Sequence, residues 1–220
     1  MAGTPSPSLK ETLTRLKNEV ILGNAYSELA KGLRDADPVV LQSAGTFFGL
    51  TLDGSLQLSQ MIAARLYDTT KGAVTVRSLL SDAADQISSF QNGTQKQVRQ
   101  AIGSSEQRIA GLQPILDSIR ERRNKALAHL DPATVRDPQA LAEKARLTMP
   151  QLERVFSQTE AILADISSLY DGSGGTLRLI DGDDYKKALD YIADAKCAQA
   201  DNYEREFREP APFPRPRKCS

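Results

Sequence analysis

The sequence predicts an all-α protein, a helical bundle of roughly six or seven helices with long antiparallel helices. Three observations predict it. The residues that dominate the composition, such as Ala, Leu, Gln, Arg and Lys, suit helix packing better than sheet pairing. Aromatic residues make up only 5% of the chain, and Trp is absent. Apolar residues recur three and four positions apart through several long segments, which is the period of an amphipathic helix.

The first two helical segments are marked by local capping signals. Ser8 and Glu11 match a capping box, and the apolar period that follows predicts a helix from Leu9, preceded by a disordered N-terminus over residues 1–8. Asp37 followed by Pro38 is a second start signal. The segment it opens is apolar on more than one face, so we expect the central helix of the bundle there.

The middle of the chain contains further helix starts. Thr75 is expected to cap a shorter helix, and a long periodic segment runs from Thr94 toward His129. Pro114 predicts a kink or restart inside that segment. A short helix is expected over residues 137–147, and Thr148 begins another with a clear apolar stripe.

The chain divides into segments of different composition. Residues 9–171 are expected to form the helical bundle, residues 172–180 a Gly-rich linker, and residues 181–208 a C-terminal helical addition. The tail over residues 209–220 is proline-rich and basic, which predicts an extended chain. Disorder is favoured for this tail over a docking peptide.

The overall composition excludes several kinds of site. Lys plus Arg and Asp plus Glu both number 28, so no global field attracts nucleic acid or an anionic membrane. Cys197 and Cys219 are the only cysteines, and their separation and lack of a neighbouring His argue against a disulfide framework and a zinc site. No signal peptide or membrane span is evident. We therefore expect a cytoplasmic protein with no metal and no cofactor.

One segment concentrates chemically active residues, and it begins at Arg123. The apolar seam of the preceding helix includes Leu116 and Ile119, and Arg123 falls on it where an apolar residue is expected. A permanently charged guanidinium at such a position needs a carboxylate, a phosphate or a water-filled cleft. The alternative is that it extends outward or pairs with an acid inside the protein.

His129 is the only histidine of the chain, and it follows a turn that contains Arg120, Arg122, Arg123 and Lys125. These cations favour a neutral imidazole, the form required for general acid or base catalysis. A structural or surface role is the alternative for a lone helical histidine. On an ideal helix Arg123 and His129 point about 120° apart. A working site would therefore need a helix distortion or a second chain.

The string from Arg123 to Asp131 resembles the signature of the HEPN superfamily of helical, nucleotide- and RNA-binding domains. It is most similar to the AbiU-like branch of abortive-infection proteins, in which Arg-Asp-Lys is followed by Ala-His and a nearby Asp. This chain departs from that pattern at Asn124, where the branch has Asp.

The resemblance implies a metal-independent endoribonuclease that forms a homodimer. It implies that His129 moves the proton of the ribose 2′-hydroxyl, while Arg123 binds the phosphate. Asn124 would orient His129 or the substrate, and Lys125 would be an auxiliary phosphate contact. Asp131 would fix the histidine tautomer or only cap the chain. Arg122, seven positions before His129, shares its helix face and is a further supporting residue.

The implied biology is a toxin in phage defence, with RNA as substrate and an antitoxin or a nucleotidyltransferase as candidate partner. Two alternatives stay open. One is a non-catalytic helical module that binds RNA, a nucleotide or a protein partner. The other is an interaction protein in which Arg123 pairs internally and the apolar stripes form an oligomer.

Overall fold

A computed structural model of the chain describes residues 7–127, 136–137, 139, 143–179 and 182–219, with only the backbone at positions 126 and 127. Within these ranges the chain forms seven α-helices and no strand, so the prediction of an all-α helical bundle is confirmed. The helices are α1 (Leu9–Asp35), α2 (Pro38–Gln42), α3 (Gly45–Leu66), α4 (Val76–Asp85), α5 (Gln95–Arg122), α6 (Met149–Asp171) and α7 (Asp184–Phe207). A π-helical turn, Arg123–Leu127, follows α5 directly.

The predicted capping residues begin the helices. The Ser8 amide donates to Glu11 Oε2 over 2.8 Å, and the Asp37 carboxylate accepts from the backbone amide two residues on over 2.9 Å. The hydroxyls of Thr75, Thr94 and Thr148 each accept the backbone N–H three residues later, completing capping boxes. Each cap satisfies an amide that the first helical turn leaves without a partner.

Two expectations about the interior helices were wrong. The segment expected to form the central helix is split into α2 and α3, and Phe47 and Leu50 near the start of α3 are 64% and 69% exposed. An apolar composition does not ensure that neighbouring helices cover every face. The second is the restart at Pro114, because α5 continues through this residue to Arg122. The alternative, a kink at Pro114, stays a prediction.

The first of two compact units comprises residues up to Asn24 and the span Gln57–Arg178. Its core lies where α5 packs along α6 and α4. Among its most buried apolar side chains are Leu9, Leu16, Leu79, Ile109, Leu112, Ile119, Leu152, Phe156, Ile162, Leu163 and Ile166. The ring of Phe156 occupies the space where a Cβ at Gly23 would lie, so α1 needs glycine there to approach α6 closely.

The second unit comprises Ala25–Leu56 and Leu179–Ser220. In it the Tyr185 side chain of α7 packs directly on Gly32 of α1. The backbone amide of Arg217 donates to the second carboxylate oxygen of Asp37, the same side chain that caps α2. This contact ties the C-terminal tail to the start of α2.

The tail is bound along α7, which corrects two predictions. Cys219 forms a disulfide with Cys197 of α7, with Cα atoms 5.9 Å apart, although the sequence argued against a disulfide. Arg215 contacts Asp201 and Glu204 over 2.8 and 2.9 Å. The predicted disorder was wrong because the acidic face of α7 pairs with the basic tail once the chain reverses direction.

None of the helices in the described ranges is long and apolar enough to cross a membrane. The cytoplasmic location, and the division into a bundle, a linker, a helical addition and a tail, stay predictions.

Candidate functional site

The π-helical turn Arg123–Leu127 is a helix distortion, one of the two features, with a second chain, that the sequence analysis expected of a working site. Such turns widen the helix by one residue and occur frequently at functional sites. In a π turn the residues five positions apart share a face, so this turn alone does not align two residues six apart. His129 and Asp131 lie outside the described residues, and their predicted roles are therefore not located.

The guanidinium of Arg123 forms an ion pair with Asp68, the second residue after α3. Arg123 Nη1 lies 3.0 Å from Asp68 Oδ2, and the two side chains are 29% and 24% exposed. The other carboxylate oxygen, Oδ1, accepts the backbone amide and the hydroxyl of Thr70 over 3.0 and 2.8 Å. Of the alternatives open for a cation on an apolar seam, pairing with an internal acid is the one found.

The hydrogen bonds around Asp68 keep its carboxylate charged. The backbone and hydroxyl of Thr70 lower the pKa of Asp68 most, and the hydrogen bond and charge of Arg123 lower it further against an opposing effect of burial. A folded-state pKa below the unfolded value means that the ionised form stabilises the fold. That stabilisation is complete above the ordinary Asp pKa of 3.8 and is lost as the pH falls through the lowered folded value.

We therefore expect Asp68→Asn to destabilise the protein at pH 7 and to have little effect in strong acid. At neutral pH the variant loses the charge-assisted bond to Arg123. Well below pH 3.8 the wild-type carboxyl is itself protonated, so the two proteins should converge in stability. Denaturant unfolding of the wild-type and Asp68→Asn proteins across the pH range measures the difference in stability. A stability difference that persists unchanged into acid would contradict a stabilising role for the ionised Asp68 carboxylate.

A cavity of about 140 Å³ lies beside this ion pair. Its walls come from the end of α3, the loop after it and the end of α5, and include Tyr67, Asp68, Arg123 and Asn124. Asn124 is exposed at this cavity. The volume has room for several waters or a small anion. Arg123 therefore has a carboxylate on one side and a polar cleft on the other.

Tyr67 lines the same cavity but is an anchor. Its hydroxyl lies 2.7 Å from Thr159 Oγ1, and the Thr159 hydroxyl donates to the Val155 carbonyl over 2.7 Å, so Tyr67 is the donor of the first bond. Burial raises the pKa of Tyr67 to about 12. A phenol with that pKa stays protonated at neutral pH and suits positioning better than proton transfer.

Carboxylates partly neutralise the cationic turn that the sequence predicted. Lys125 and Lys144 both contact Glu121 Oε1, over 3.0 and 3.1 Å, and the hydrogen bond from Lys125 is the main cause that lowers the pKa of Glu121. Arg120 lies 3.4 Å from Asp117. The local positive field is therefore smaller than the sequence suggests, since most of these cations have acidic neighbours.

Arg122, the last residue of α5, has a different environment. Its Nε donates to Gln60 Oε1 over 3.1 Å, and its Nη1 donates to the Ala145 carbonyl over 3.4 Å. These acceptors are neutral, so they position the guanidinium without cancelling its charge. Arg122 joins the end of α5 to α3 and to the residues that precede α6.

The structure brings together some of the predicted residues. Arg123 and Asn124 both line the cavity. Lys125 instead forms an ion pair with Glu121, and Arg122 donates a hydrogen bond to Gln60. Asp68 was missed by sequence reasoning. Arg123 on an apolar seam indicated an acid, but nothing local identifies a residue 55 positions away. In the described ranges, no cluster of three or more His, Cys, Asp or Glu residues could hold a metal ion.

Comparison with known families identifies a match over most of the chain. The model of the AbiU2 family, a family of HEPN domains, matches residues 6–196. Searches of curated proteins and of solved structures found no match. The match covers most of the 220 residues, including α1 to α6 and the segment that carries Arg123. The chain therefore belongs to the AbiU2 family of HEPN domains, a family related to abortive infection.

Proposed function

We propose that this protein is a metal-independent endoribonuclease that acts as a toxin in phage defence. The observation that carries the proposal is the placement of Arg123, whose guanidinium is held by Asp68 at the wall of a 140 Å³ cleft on a π turn. Membership of a HEPN family supports it. A fixed cation beside an open cleft is the arrangement that stabilises charge developing on a phosphate.

In the proposed reaction His129 removes the proton of a ribose 2′-hydroxyl, and the 2′-oxygen attacks the adjacent phosphorus. The bond to the 5′-oxygen of the next nucleotide breaks, that oxygen takes up a proton, and a 2′,3′-cyclic phosphate remains. Arg123 neutralises the charge on the non-bridging oxygens. Asp68 acts as a positioning residue, because its bonds to Thr70 fix the carboxylate that orients Arg123.

The remaining residues have supporting roles in this proposal. Asn124 at the cavity wall orients the substrate or His129, Lys125 and Arg122 contribute positive charge near the RNA, and Asp131 fixes the tautomer of His129. A second copy of the chain completes the site, since neither an α-helix nor a π turn aligns residues six apart. An antitoxin or a nucleotidyltransferase is the proposed regulatory partner.

The class of reaction can be tested with the full-length protein, a chelator and end-labelled RNA. We expect cleavage to continue in the chelator and to leave 2′,3′-cyclic phosphate and 5′-hydroxyl ends. An RNA with a single 2′-deoxy substitution at the cleaved position should resist cleavage there, because the attacking oxygen is missing. Cleavage that requires a divalent metal, or that leaves a 5′-phosphate, would refute the proposed chemistry.

A non-catalytic binding module is the second candidate, and the Arg123–Asp68 pair favours it. A guanidinium already paired with a carboxylate 3.0 Å away is partly neutralised before any ligand binds. Under this alternative the wild-type protein binds RNA, a nucleotide or a protein partner and cleaves nothing. RNA affinity without detectable cleavage would favour this candidate.

A further inference from the structure

A second cavity shares Asp68 with the cleft at Arg123. It has a volume of about 290 Å³ and, like the first, lies within the first compact unit. Its walls come from the N-terminal part of α1, the end of α3 and the loop before α4, and the lining residues include Arg15, Glu19, Arg65 and Asp68. Asp68 therefore stands between two adjoining openings, each with at least one arginine in its wall.

Among the described residues, only some of the charged side chains that line the second cavity have an ion-pair partner. Arg65 Nη2 lies 2.6 Å from Glu19 Oε2, and Asp68 is already bound to Arg123 and Thr70. Arg15 is exposed, one helical turn before Glu19, and has no ion-pair partner within the described part of the chain. Both carboxylates at this cavity thus have a partner, and the guanidinium of Arg15 is left to face a ligand.

The pair formed by Glu19 and Arg65 also prepares Arg65 for an anion. Glu19 is 20% exposed and Arg65 is 55% exposed, so the ion pair holds one edge of the guanidinium while much of the side chain still faces solvent. An arginine fixed in this way loses less conformational freedom when its remaining N–H groups bind a phosphate. Arg15 and Arg65 together can contact one phosphate group with several N–H donors.

We propose that the cavity lined by Arg15 and Arg65 is a second phosphate subsite, which binds the RNA strand whose scissile phosphate lies against Arg123. The proposal rests on the proposed ribonuclease function and extends it by naming two further substrate contacts. The shared wall at Asp68 is the reason for assigning both cavities to one polyanionic strand. A strand that passes Asp68 keeps its phosphates beside the arginines on each side of that carboxylate.

The test uses full-length protein that carries His129→Ala, so that RNA is bound without being cleaved. In this background Arg15→Ala should weaken binding of a single-stranded oligoribonucleotide on the order of tenfold. It should also reduce the slope of log affinity against log salt by about 0.7, the contribution of one phosphate contact in a single strand. Arg154→Ala is the matched control, because Arg154 is an exposed arginine of the same unit and lines neither cavity.

Length of RNA provides a second readout. A dinucleotide with one internucleotide phosphate fills only the cleft at Arg123, so its affinity should be the same in the Arg15→Ala and Arg154→Ala proteins. Equal affinity of these two proteins for the longer RNA would overturn the subsite. An equal loss for the dinucleotide and the longer RNA would overturn it as well, because Arg15 would then act at the first cleft or through the fold.

The outcomes separate this proposal from the one it extends. If the protein with His129 intact cleaves RNA but Arg15→Ala binds like Arg154→Ala, the subsite fails and the ribonuclease stands. If no RNA is cleaved but Arg15→Ala still weakens binding and lowers the salt slope, the ribonuclease fails and the phosphate subsite stands. If the protein binds no RNA at all, both are overturned.

Discussion

Replacing Arg123 with alanine is expected to lower the single-turnover rate of RNA cleavage by about 10²- to 10³-fold, the loss typical of removing one donor that stabilises developing charge. The guanidinium is held 3.0 Å from Asp68 at the edge of the cleft, so its position is set before the substrate binds. Arg123→Lys should recover only part of this loss, because an ammonium group cannot bind Asp68 and two phosphate oxygens in one plane.

The Arg123→Ala result needs a control for charge and one for folding. Arg154→Ala removes an exposed arginine of the same unit and should cleave RNA at the wild-type rate. Asp68 keeps its bonds to Thr70 in the Arg123→Ala protein, so the loop after α3 should stay folded. A wild-type cleavage rate in a folded Arg123→Ala protein would show that Arg123 serves the fold alone.

Replacing Cys219 with serine is expected to lower the free energy of unfolding of the second unit by about 3 kcal/mol. The disulfide to Cys197 closes a loop with a sequence separation of 22 residues, and cross-links of this size restrict the unfolded chain by about that amount. Denaturant unfolding monitors the loss. Wild-type protein treated with a dithiol reductant should unfold like the variant, and Cys197→Ser should behave like Cys219→Ser.

The comparison with Arg215→Ala shows whether the disulfide or the ion pairs hold the tail. Arg215 contacts Asp201 and Glu204 at the surface, where solvent screens an ion pair so that it contributes little to stability. The loss in Arg215→Ala should therefore be smaller than in Cys219→Ser. Equal unfolding of the wild-type protein with and without reductant would contradict a stabilising disulfide. The AbiU2 match ends at residue 196, so the disulfide between Cys197 and Cys219 lies outside the residues that match the family model.

Helix positions could be predicted because the signals that begin a helix are local. The side chains of Asp37, Thr75, Thr94 and Thr148 each bond to a backbone amide two or three residues away, and the sequence shows both partners at once. The apolar periods of α1, α5 and α6 likewise identify the faces that are buried.

Features that depend on distant pairing could not be predicted in the same way. The disulfide between Cys197 and Cys219 requires the tail to reverse direction, and the exposure of Phe47 depends on which helices lie near α3. Pro114 has low intrinsic helix propensity, yet packing of the surrounding residues keeps α5 continuous. Tertiary contacts decide each of these features, and a single sequence does not show which contacts form.

The candidate site was predictable in part for the same reason. A permanent charge on an apolar seam required a compensating group, and the structure supplies Asp68 and a cleft. The sequence indicated Arg123 and the need for either a helix distortion or a second chain. It could not select Asp68, because the carboxylate reaches Arg123 only when the fold brings the residues after α3 beside the end of α5.

We propose that the segment from Arg123 to His129 is the RNA-cleaving centre of this protein. Its most direct test is the single-turnover cleavage rate of the wild-type and His129→Ala proteins, measured with saturating protein and a chelator. Loss of a general acid or base should slow cleavage by about 10²- to 10⁴-fold while RNA affinity changes little. Equal cleavage rates in the two proteins, or no cleavage by wild-type protein that binds the RNA, would show that His129 is not part of an RNA-cleaving centre.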